Sequence, residues 1–174
     1  MIRRTIPHLD LAQIAASGQC FTWGRGAAGS WTIPAGERLV TACQRGEELT
    51  FSCDMAEFDA FWAGYFDLDT DYGALKASVD PADRYLTAAV AHGGGIRILR
   101  QDFWEVLVSF LISQNNNIPR IRSLITRLCG GENRPFPPAC EVARLGEQAL
   151  RSMGMGYRAG YLFRAAQRFT PAEE

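Results

Sequence analysis

A run of three asparagines, Asn115, Asn116 and Asn117, is the part of the sequence whose residue types could do the most specific chemistry. Asparagine is a weak helix former because its side chain competes for backbone hydrogen bonds. Three adjacent amides between two apolar stretches offer several donors and acceptors at one point, which suits recognition of a polar ligand such as a base edge. The alternative is an interhelical turn in which asparagine only caps the next helix.

Two further segments combine glycine with aromatic or basic side chains. Gly18 lies close to Phe21 at the start of a predicted sheet, and the pair Tyr157-Arg158 lies at the start of a predicted helix. Backbone amides at a helix start can bind a phosphate. The alternative for Gly18 is that it only ends a helix. The alternative for Tyr157 and Tyr161 is that both belong to the hydrophobic core.

Charge is distributed unevenly along the chain, although the net charge is only −1. Residues 1–94 hold 7 basic and 12 acidic side chains, whereas residues 95–174 hold 11 basic and 7 acidic ones. All 11 are arginines, the residue preferred for forked contacts to phosphates and base edges. The second half is therefore a candidate nucleic-acid face, although a GC-rich genome would also favour arginine over lysine.

Several classes of protein are excluded by what the sequence contains. The cysteines are odd in number and widely scattered, which favours neither a disulfide framework nor a zinc site. His8 and His92 are far apart, so we expect no metal and no cofactor. No apolar run reaches the roughly 18 residues of a transmembrane helix, and no secretory signal is recognisable. We therefore expect a cytoplasmic monomer that does not bind membranes.

The hydrophobic pattern predicts an α+β fold. Residues 9–16 are predicted to form a helix, and glycine-containing turns separate four short β-prone runs: 19–24, 31–34, 38–44 and 49–53. From Asp54 onwards the pattern is helical, and the predicted helices cover residues 80–92, 103–113, 118–128, a short segment ending near 153, and 157–169. We expect a domain at 1–79 and a second at 80–174.

Individual residues in these elements carry specific expectations. Asp80 precedes a proline and is predicted to cap the helix that follows. Helix 103–113 is predicted to be buried, with Trp104 and Phe110 in the core. Trp23 is also predicted to lie in the core. Arg97 and Arg100 are expected to form surface ion pairs.

Four motifs, in this order, resemble those of the 8-oxoguanine DNA glycosylase family of the helix-hairpin-helix superfamily. They are Gly18-Gln19-x-Phe21-x-Trp23, Gly95-x-Arg97-x-Leu99-Arg100-Gln101-Asp102, Ser113-x-Asn115-Asn116-Asn117-Ile118-x-Arg120-Ile121 and Gly154-x-Gly156-Tyr157-Arg158-Ala159-x-Tyr161. The resemblance implies a small antiparallel β-sheet domain packed on an α-helical glycosylase domain. It also implies a DNA glycosylase and AP lyase of base excision repair that acts on oxidised guanine.

The resemblance assigns a role to each matched position. Such enzymes extrude the damaged nucleotide from the duplex. Asn115 would fill the gap, Arg120 and Arg158 would bind the orphaned partner base, and Tyr157 would wedge beside it. Gly18 would present its carbonyl to N7 of 8-oxoguanine, with Phe21 in the same lesion-recognition segment. The implied partner is double-stranded DNA with oxidised guanine opposite cytosine. Arg120 could instead lie on a solvated helix face.

The sequence also departs from the family. The helix-hairpin-helix turn, the lysine nucleophile and the assisting aspartate would follow residue 174, so we expect an incomplete helical domain that corresponds to the N-terminal two-thirds of the family. The chain has one lysine, Lys76, in an acidic region that does not match the nucleophile. Pro171–Glu174 resembles an interrupted loop.

Three functions are compatible with these features: the damage-reading part of a glycosylase, a non-catalytic damage-binding module, and a degenerate truncated product. A relative acting on alkylated purines is the second choice of substrate class.

Overall fold

A computed structural model describes residues 1–170 and divides them into two compact units. The first contains residues 1–33 and 40–100, and the second contains residues 34–39 and those from 101 onwards. This division falls later than the predicted boundary at 79/80, because residues around Gly95 bond within the first unit: the Asp10 amide donates to the Gly95 carbonyl at 2.8 Å. The assignment of two domains itself stays a prediction. The predicted loop at 171–174 lies outside the described residues.

A five-stranded sheet contains β1 (Ile2–Thr5), β2 (Gly24–Arg25), β3 (Trp31–Ala35), β4 (Arg38–Arg45) and β5 (Glu48–Phe51), in the order β1-β5-β4-β3-β2. Antiparallel pairing places Phe51 opposite both Ile2 and Ala42. Along β4, Val40 and Ala42 are buried and Thr41 is exposed. This alternation is expected of a strand with one face on the core.

The last three predicted strands are confirmed, with shifts at their ends. The predicted strand at 19–24 is wrong except for Gly24, because Gln19 anchors this segment elsewhere. The Gln19 side chain donates to the Arg97 carbonyl at 2.9 Å and accepts from the Leu99 amide at 2.9 Å. Strand β1 was not predicted, and its pairing partner lies more than forty residues away in the sequence.

The helical segments of the first unit are α1 (Leu11–Ala16), a short 3₁₀ helix (Ala27–Gly29), α2 (Met55–Glu57), a π-helical stretch (Phe58–Trp62), α3 (Ala63–Tyr65), α4 (Tyr72–Ala77) and α5 (Arg84–His92). Its largest fully buried side chains come from the sheet, from these helices and, in the case of Phe66, from the C-cap of α3: Trp62, Phe51, Phe58, Phe66, Leu11, Ile14, Ile33 and Leu49. The predicted cap of α5 is wrong. Asp83 accepts from the amides of Tyr85 and Leu86 and is the N-cap, whereas the Asp80 carboxylate accepts from the Ala82 amide in the turn before the helix.

The helical segments of the second unit are α6 (Phe103–Ser113), α7 (Ile118–Leu128), α8 (Ala139–Leu150), a π-helical stretch (Arg151–Met155) and α9 (Arg158–Phe169). Helices α6 and α7 have the predicted bounds. The apolar face of α7 is buried as predicted, and it consists of Ile121, Leu124, Ile125 and Leu128. The α+β class is therefore confirmed. No helix among residues 1–170 is long and apolar enough to cross a bilayer.

The burial of α6 is one-sided. Trp104 lies in the core as predicted, and so does Trp23 in the first unit. Phe110 does not, since it is 61% exposed. A helix that is apolar all round can be buried on every side only if neighbours surround it, and the sequence of α6 does not specify them.

Arg97 and Arg100 behave differently from each other. Arg100 pairs with the Asp67 carboxylate, as expected of a surface ion pair. The prediction for Arg97 is wrong, because this side chain is only 4% exposed. Its guanidinium donates to the carbonyls of Asp67 and Pro7, at 2.8 and 3.0 Å, and lies over the Tyr72 ring.

Asp67 contacts both arginines, since its carbonyl accepts from Arg97 and its carboxylate pairs with Arg100. Its buried carboxylate accepts from the Tyr72 hydroxyl at 2.9 Å. Burial by itself raises the pKa of the Asp67 carboxyl. The hydrogen bonds from Tyr72 and Thr70 and the guanidinium of Arg100 outweigh burial, so the pKa lies below its usual value. The negative charge of Asp67 therefore stabilises the folded unit.

Replacing this carboxyl by an amide, Asp67→Asn, will lower the free energy of unfolding at neutral pH. The loss will be full above the unfolded-state pKa of about 3.9 and will shrink as the pH falls from there through the lower folded-state pKa, because the carboxyl then becomes protonated in both states. Urea unfolding across this pH range measures the effect. The control is Asp69→Asn, an exposed carboxylate 3.9 Å from Arg100, which should change stability little at any pH. A loss for Asp67→Asn that does not depend on pH would contradict the assignment.

Candidate nucleic-acid interface

The turn between α6 and α7 carries the three asparagines. Helix α6 ends at Ser113, Gln114 is its C-cap, and Asn115 then adopts a left-handed conformation with φ of 48°. Asparagine is among the few non-glycine residues that tolerate this region, because its short amide can bond locally. The residue type at position 115 therefore suits the reversal of chain direction between the two helices.

The three asparagines have different local roles. Asn116 donates to the Ile112 carbonyl at 3.0 Å and accepts from the Asn117 amide at 3.0 Å. Asn117 accepts from the Arg120 amide at 3.0 Å and is the N-cap of α7. The capping alternative therefore describes Asn117, whereas Asn116 bonds the last turn of α6 and the backbone of its neighbour. Asn115 is exposed, and residues 1–170 supply no hydrogen bond to its side-chain amide.

Tyr157 and Arg158 meet this turn from the start of α9. Arg158 is 5% exposed, and its guanidinium donates from Nε to the Gln114 carbonyl at 3.0 Å. Its Nη2 donates to the same carbonyl and to that of Asn115, the latter at 2.9 Å. The Tyr157 hydroxyl donates to the Gln114 carbonyl at 3.3 Å. Both predicted residues of α9 are therefore brought next to Asn115.

The ring of Tyr157 remains accessible although its hydroxyl is bonded. The residue is 52% exposed, so the core alternative does not apply to it. Its ring lies 4.5 Å from the Arg158 guanidinium and meets Tyr161 edge to face at 6.2 Å. Tyr161 is half exposed as well. An aromatic face thus lies beside the asparagine turn.

Arg120 lies in the first turn of α7, exposed, and its backbone amide is the donor to Asn117. Other arginines of the second half are used internally. Arg127 donates to the Met153 carbonyl at 2.7 Å, and Arg151 pairs with Glu147 within α8 and its extension. The positive charge counted in the sequence is therefore only partly available to a ligand.

Gly18 and Phe21 belong to the first unit. Gly18 follows Ser17, the C-cap of α1, and has φ of +83°. This is the left-handed position after a helix that glycine normally occupies, so the C-cap alternative for Gly18 is confirmed as a local role. Gly18 is also exposed, and Phe21 is half-buried. The bonds of Gln19 described above hold the segment between them.

Groups that could act as nucleophiles are restrained in different ways. The Lys76 ammonium donates to the Gly94 carbonyl. Burial, followed by the charge of Arg97, lowers the pKa of Lys76. Burial, followed by Glu105, raises the pKa of the Cys129 thiol to about 12, so that it is protonated at neutral pH. The described residues contain no cluster of three His, Cys, Asp or Glu side chains suited to a metal ion.

The family model of the 8-oxoguanine DNA glycosylase N-terminal domain matches residues 1–107, more than half of the chain. The chain belongs to the 8-oxoguanine DNA glycosylase family. The match covers the first unit and the start of α6, so it ends before the asparagine turn.

Two curated relatives extend the similarity over the second unit. The N-glycosylase/DNA lyase of Saccharomyces cerevisiae is 38% identical over 92% of this chain and 49% of its own length. The N-glycosylase/DNA lyase OGG1 of Arabidopsis thaliana is 28% identical over 92% of this chain and 48% of its own length. The chain therefore spans about half the length of these relatives.

A solved structure of the family has the same fold. The Clostridium acetobutylicum 8-oxoguanine glycosylase/lyase, in complex with double-stranded DNA containing cytosine opposite 8-oxoguanine, superposes with a TM-score of 0.87 at 34% identity. The comparison covers 95% of this chain and 60% of that one. The similarity thus includes the helices that carry the candidate interface.

One residue of the candidate interface was missed from the sequence. Gln114 contributes its carbonyl, which accepts from Tyr157 and Arg158. A backbone acceptor leaves no signal in residue type, so only the end of α6 could have indicated it. The last carbonyls of a helix lack partners within the helix.

The capping role of Asn117 can be measured separately from any role with DNA. Asn117→Ala will lower the free energy of unfolding by about 1 kcal/mol, because the Arg120 amide loses its acceptor. Asn117→Asp is the matched control, since it keeps an acceptor at the helix start. Urea unfolding of both variants tests this. Equal losses for alanine and aspartate would contradict the role of Asn117 as a cap.

Proposed function

We propose that this chain is the DNA-reading part of an 8-oxoguanine DNA glycosylase and AP lyase of base excision repair. The observation that carries the proposal is the exposed amide of Asn115, left without a hydrogen bond from residues 1–170 on a fixed turn beside Tyr157 and Arg158. The side chain of Asn115 is therefore available to enter a DNA duplex, while hydrogen bonds from Arg158 fix its backbone.

Extrusion of a base leaves a gap in the stack and an unpaired partner. Asn115 would fill the gap, with donors and acceptors for the groups exposed there. The Tyr157 ring, held by its hydroxyl, would replace lost stacking, as inserted side chains do in kinked duplexes. Asn116 and Asn117 would support both by fixing the turn.

Arg120 and Arg158 would recognise the base opposite the lesion. An orphaned cytosine presents acceptors that an arginine fork can satisfy. Arg158 keeps Nη1 without a hydrogen bond from residues 1–170, and Arg120 is exposed nearby on α7. We therefore propose a preference for cytosine. The Clostridium complex, which contains cytosine opposite 8-oxoguanine, supports this choice.

Gly18 and Phe21 would recognise the extruded base. N7 of 8-oxoguanine carries a hydrogen, whereas N7 of guanine is an acceptor, so a backbone carbonyl at Gly18 could distinguish the two. A glycine allows close approach of the backbone, and Gly18 is exposed at the end of α1. The partner is thus double-stranded DNA with oxidised guanine. We further propose that the chain acts as a monomer in the cytoplasm, at the nucleoid if it is bacterial.

The bond-breaking chemistry is a separate matter. Lyase chemistry through an imine needs a nucleophilic amine, and Lys76 is the one lysine in the 174 residues. Its ammonium is bonded to Gly94 in the first unit. We propose that these residues bind damage and do not themselves supply the nucleophile. A non-catalytic damage-binding module is the second candidate function, since the Lys76 ammonium is occupied by the Gly94 carbonyl.

Binding to a duplex with a tetrahydrofuran abasic site opposite cytosine tests the proposal. The wild-type chain should bind it more tightly than the undamaged duplex, and Asn115→Ala should weaken this binding about tenfold, on the order of 1.4 kcal/mol. Fluorescence anisotropy at constant ionic strength is the measurement, because salt alters all such affinities. Arg168→Ala, an exposed arginine at the far end of α9, controls for loss of charge.

Two results would contradict the proposal. One is equal affinity for the abasic and the undamaged duplex. The other, which would contradict only the cytosine preference, is equal affinity for abasic sites opposite all four bases.

Reductive trapping tests the absence of a nucleophile. Incubation with a duplex containing an abasic aldehyde and borohydride should give no covalent adduct, since an imine must form before it can be reduced. Lys76→Arg is the matched control and should behave like the wild type. An adduct that disappears in Lys76→Arg would make Lys76 a nucleophile and overturn the proposed division between binding and cutting.

A further inference from the structure

We infer that Arg158 is a positioning residue whose guanidinium holds Asn115 in its left-handed conformation, in addition to any contact with an orphaned base. This inference rests on the proposed function only in giving Asn115 a DNA target. The contact itself is a property of the DNA-free chain, and it can be tested without DNA.

The guanidinium grips the two peptide groups on either side of one α-carbon. The Gln114 carbonyl belongs to the peptide before Asn115, and the Asn115 carbonyl belongs to the peptide after it. Arg158 donates from Nε and Nη2 to the first and from Nη2 to the second. The relative orientation of these two peptides is what φ and ψ of Asn115 describe. One rigid planar group therefore restrains both dihedral angles.

Binding both carbonyls also excludes the main alternative conformation. Successive carbonyls of an extended residue point in opposite directions, whereas those of a helical residue point the same way. A single Nη2 that donates to both carbonyls is therefore compatible with a helical conformation of Asn115, right- or left-handed, and incompatible with the β region. Within these, Asn115 has φ of 48°, which most side chains avoid. The Arg158 contacts offset that cost.

The surroundings of Arg158 favour this role. The carbonyls at the end of α6 carry partial negative charge, which a cation stabilises. The Tyr157 ring lies 4.5 Å from the guanidinium, and the Tyr157 hydroxyl shares the Gln114 carbonyl. At 5% exposure the guanidinium has little freedom to leave these partners. Two adjacent side chains of α9 thus act on one carbonyl of α6.

The two edges of the guanidinium can serve two purposes at once. The Nε–Nη2 edge is used by the turn, while Nη1 receives no partner from residues 1–170. A lysine ammonium has three donors but lacks the Nε donor and the rigid plane of the guanidinium, so it would not hold the two peptides in one fixed relative orientation. Arg158→Lys should therefore keep the charge and release the turn.

The first arm of the test is nuclear magnetic resonance of the DNA-free chain. Backbone chemical shifts and the amide-to-Hα coupling of Asn115 report its φ. The wild type and the control Arg168→Ala should show a positive φ, and Arg158→Ala should lose it. Arg158→Lys should show the same loss if the alanine variant does not fold. A left-handed Asn115 in a folded Arg158 variant would overturn the inference, whatever happens with DNA.

The second arm measures coupling between the two residues on the duplex with a tetrahydrofuran site opposite cytosine. Asn115→Ala should weaken binding about tenfold in the wild-type background but less than about twofold in Arg158→Ala. In that background the backbone of residue 115 has already lost its hydrogen bonds from the guanidinium, so its side chain is no longer positioned. Equal factors in both backgrounds would overturn the inference. An arginine that only stabilised the fold would lower the urea midpoint and leave this ratio unchanged.

The two arms distinguish the inference from the proposed function. If the wild type does not prefer the abasic duplex, the proposed function fails, and the conformation of Asn115 still decides the role of Arg158. If the preference is present but Asn115 keeps its conformation without Arg158, only the inference fails.

Discussion

The carbonyl group of Gln114, at the end of α6, is the acceptor on which the candidate interface depends. Helix termini leave carbonyls without partners in the helix, and here Tyr157 and Arg158 of α9 supply the donors. This contact fixes where α6 stops, and Asn115 reverses the chain immediately afterwards. The exposed amide and the aromatic face beside it are therefore consequences of how one helix is terminated by another.

A comparable arrangement in the first unit holds the segment of Gly18. Gln19 bonds the backbone at Arg97 and Leu99, and Arg97 is itself buried against carbonyls. Buried polar groups that are satisfied by backbone acceptors fix a single loop geometry. In both units, then, side chains that belong to the family motifs form hydrogen bonds to the backbone of a neighbouring segment. A structural role of this kind is compatible with a role of the same motifs in binding DNA.

The chain contains candidate residues for recognising DNA, but two of its potential nucleophiles are restrained. The residues that we propose for reading DNA lie around one turn that Arg158 bonds, while the amine of Lys76 is bonded to Gly94 and the thiol of Cys129 is kept protonated by burial. The chain spans about half the length of its curated relatives, so activity of the whole family is proposed for it only as far as recognition. Binding and bond cleavage need not reside in the same residues, because extrusion depends on contacts around the gap and cleavage depends on a nucleophile at the sugar.

The sequence alone determined the family, the α+β class, the bounds of α6 and α7 and the buried face of α7, because local periodicity and ordered motifs carry these features. It misjudged Phe110, Arg97 and the segment at 19–24, and it missed β1. Each of these depends on a neighbour distant in the chain: Phe110 on what surrounds α6, Arg97 on the carbonyls of Pro7 and Asp67, and β1 on β5. Only the structure decided that Asn117 caps α7 and Asn116 bonds the end of α6 while Asn115 stays exposed, and that Arg158 binds two carbonyls. Backbone acceptors have no residue type, so the predicted end of α6 could indicate where unpaired carbonyls lie but not which side chains would bind them.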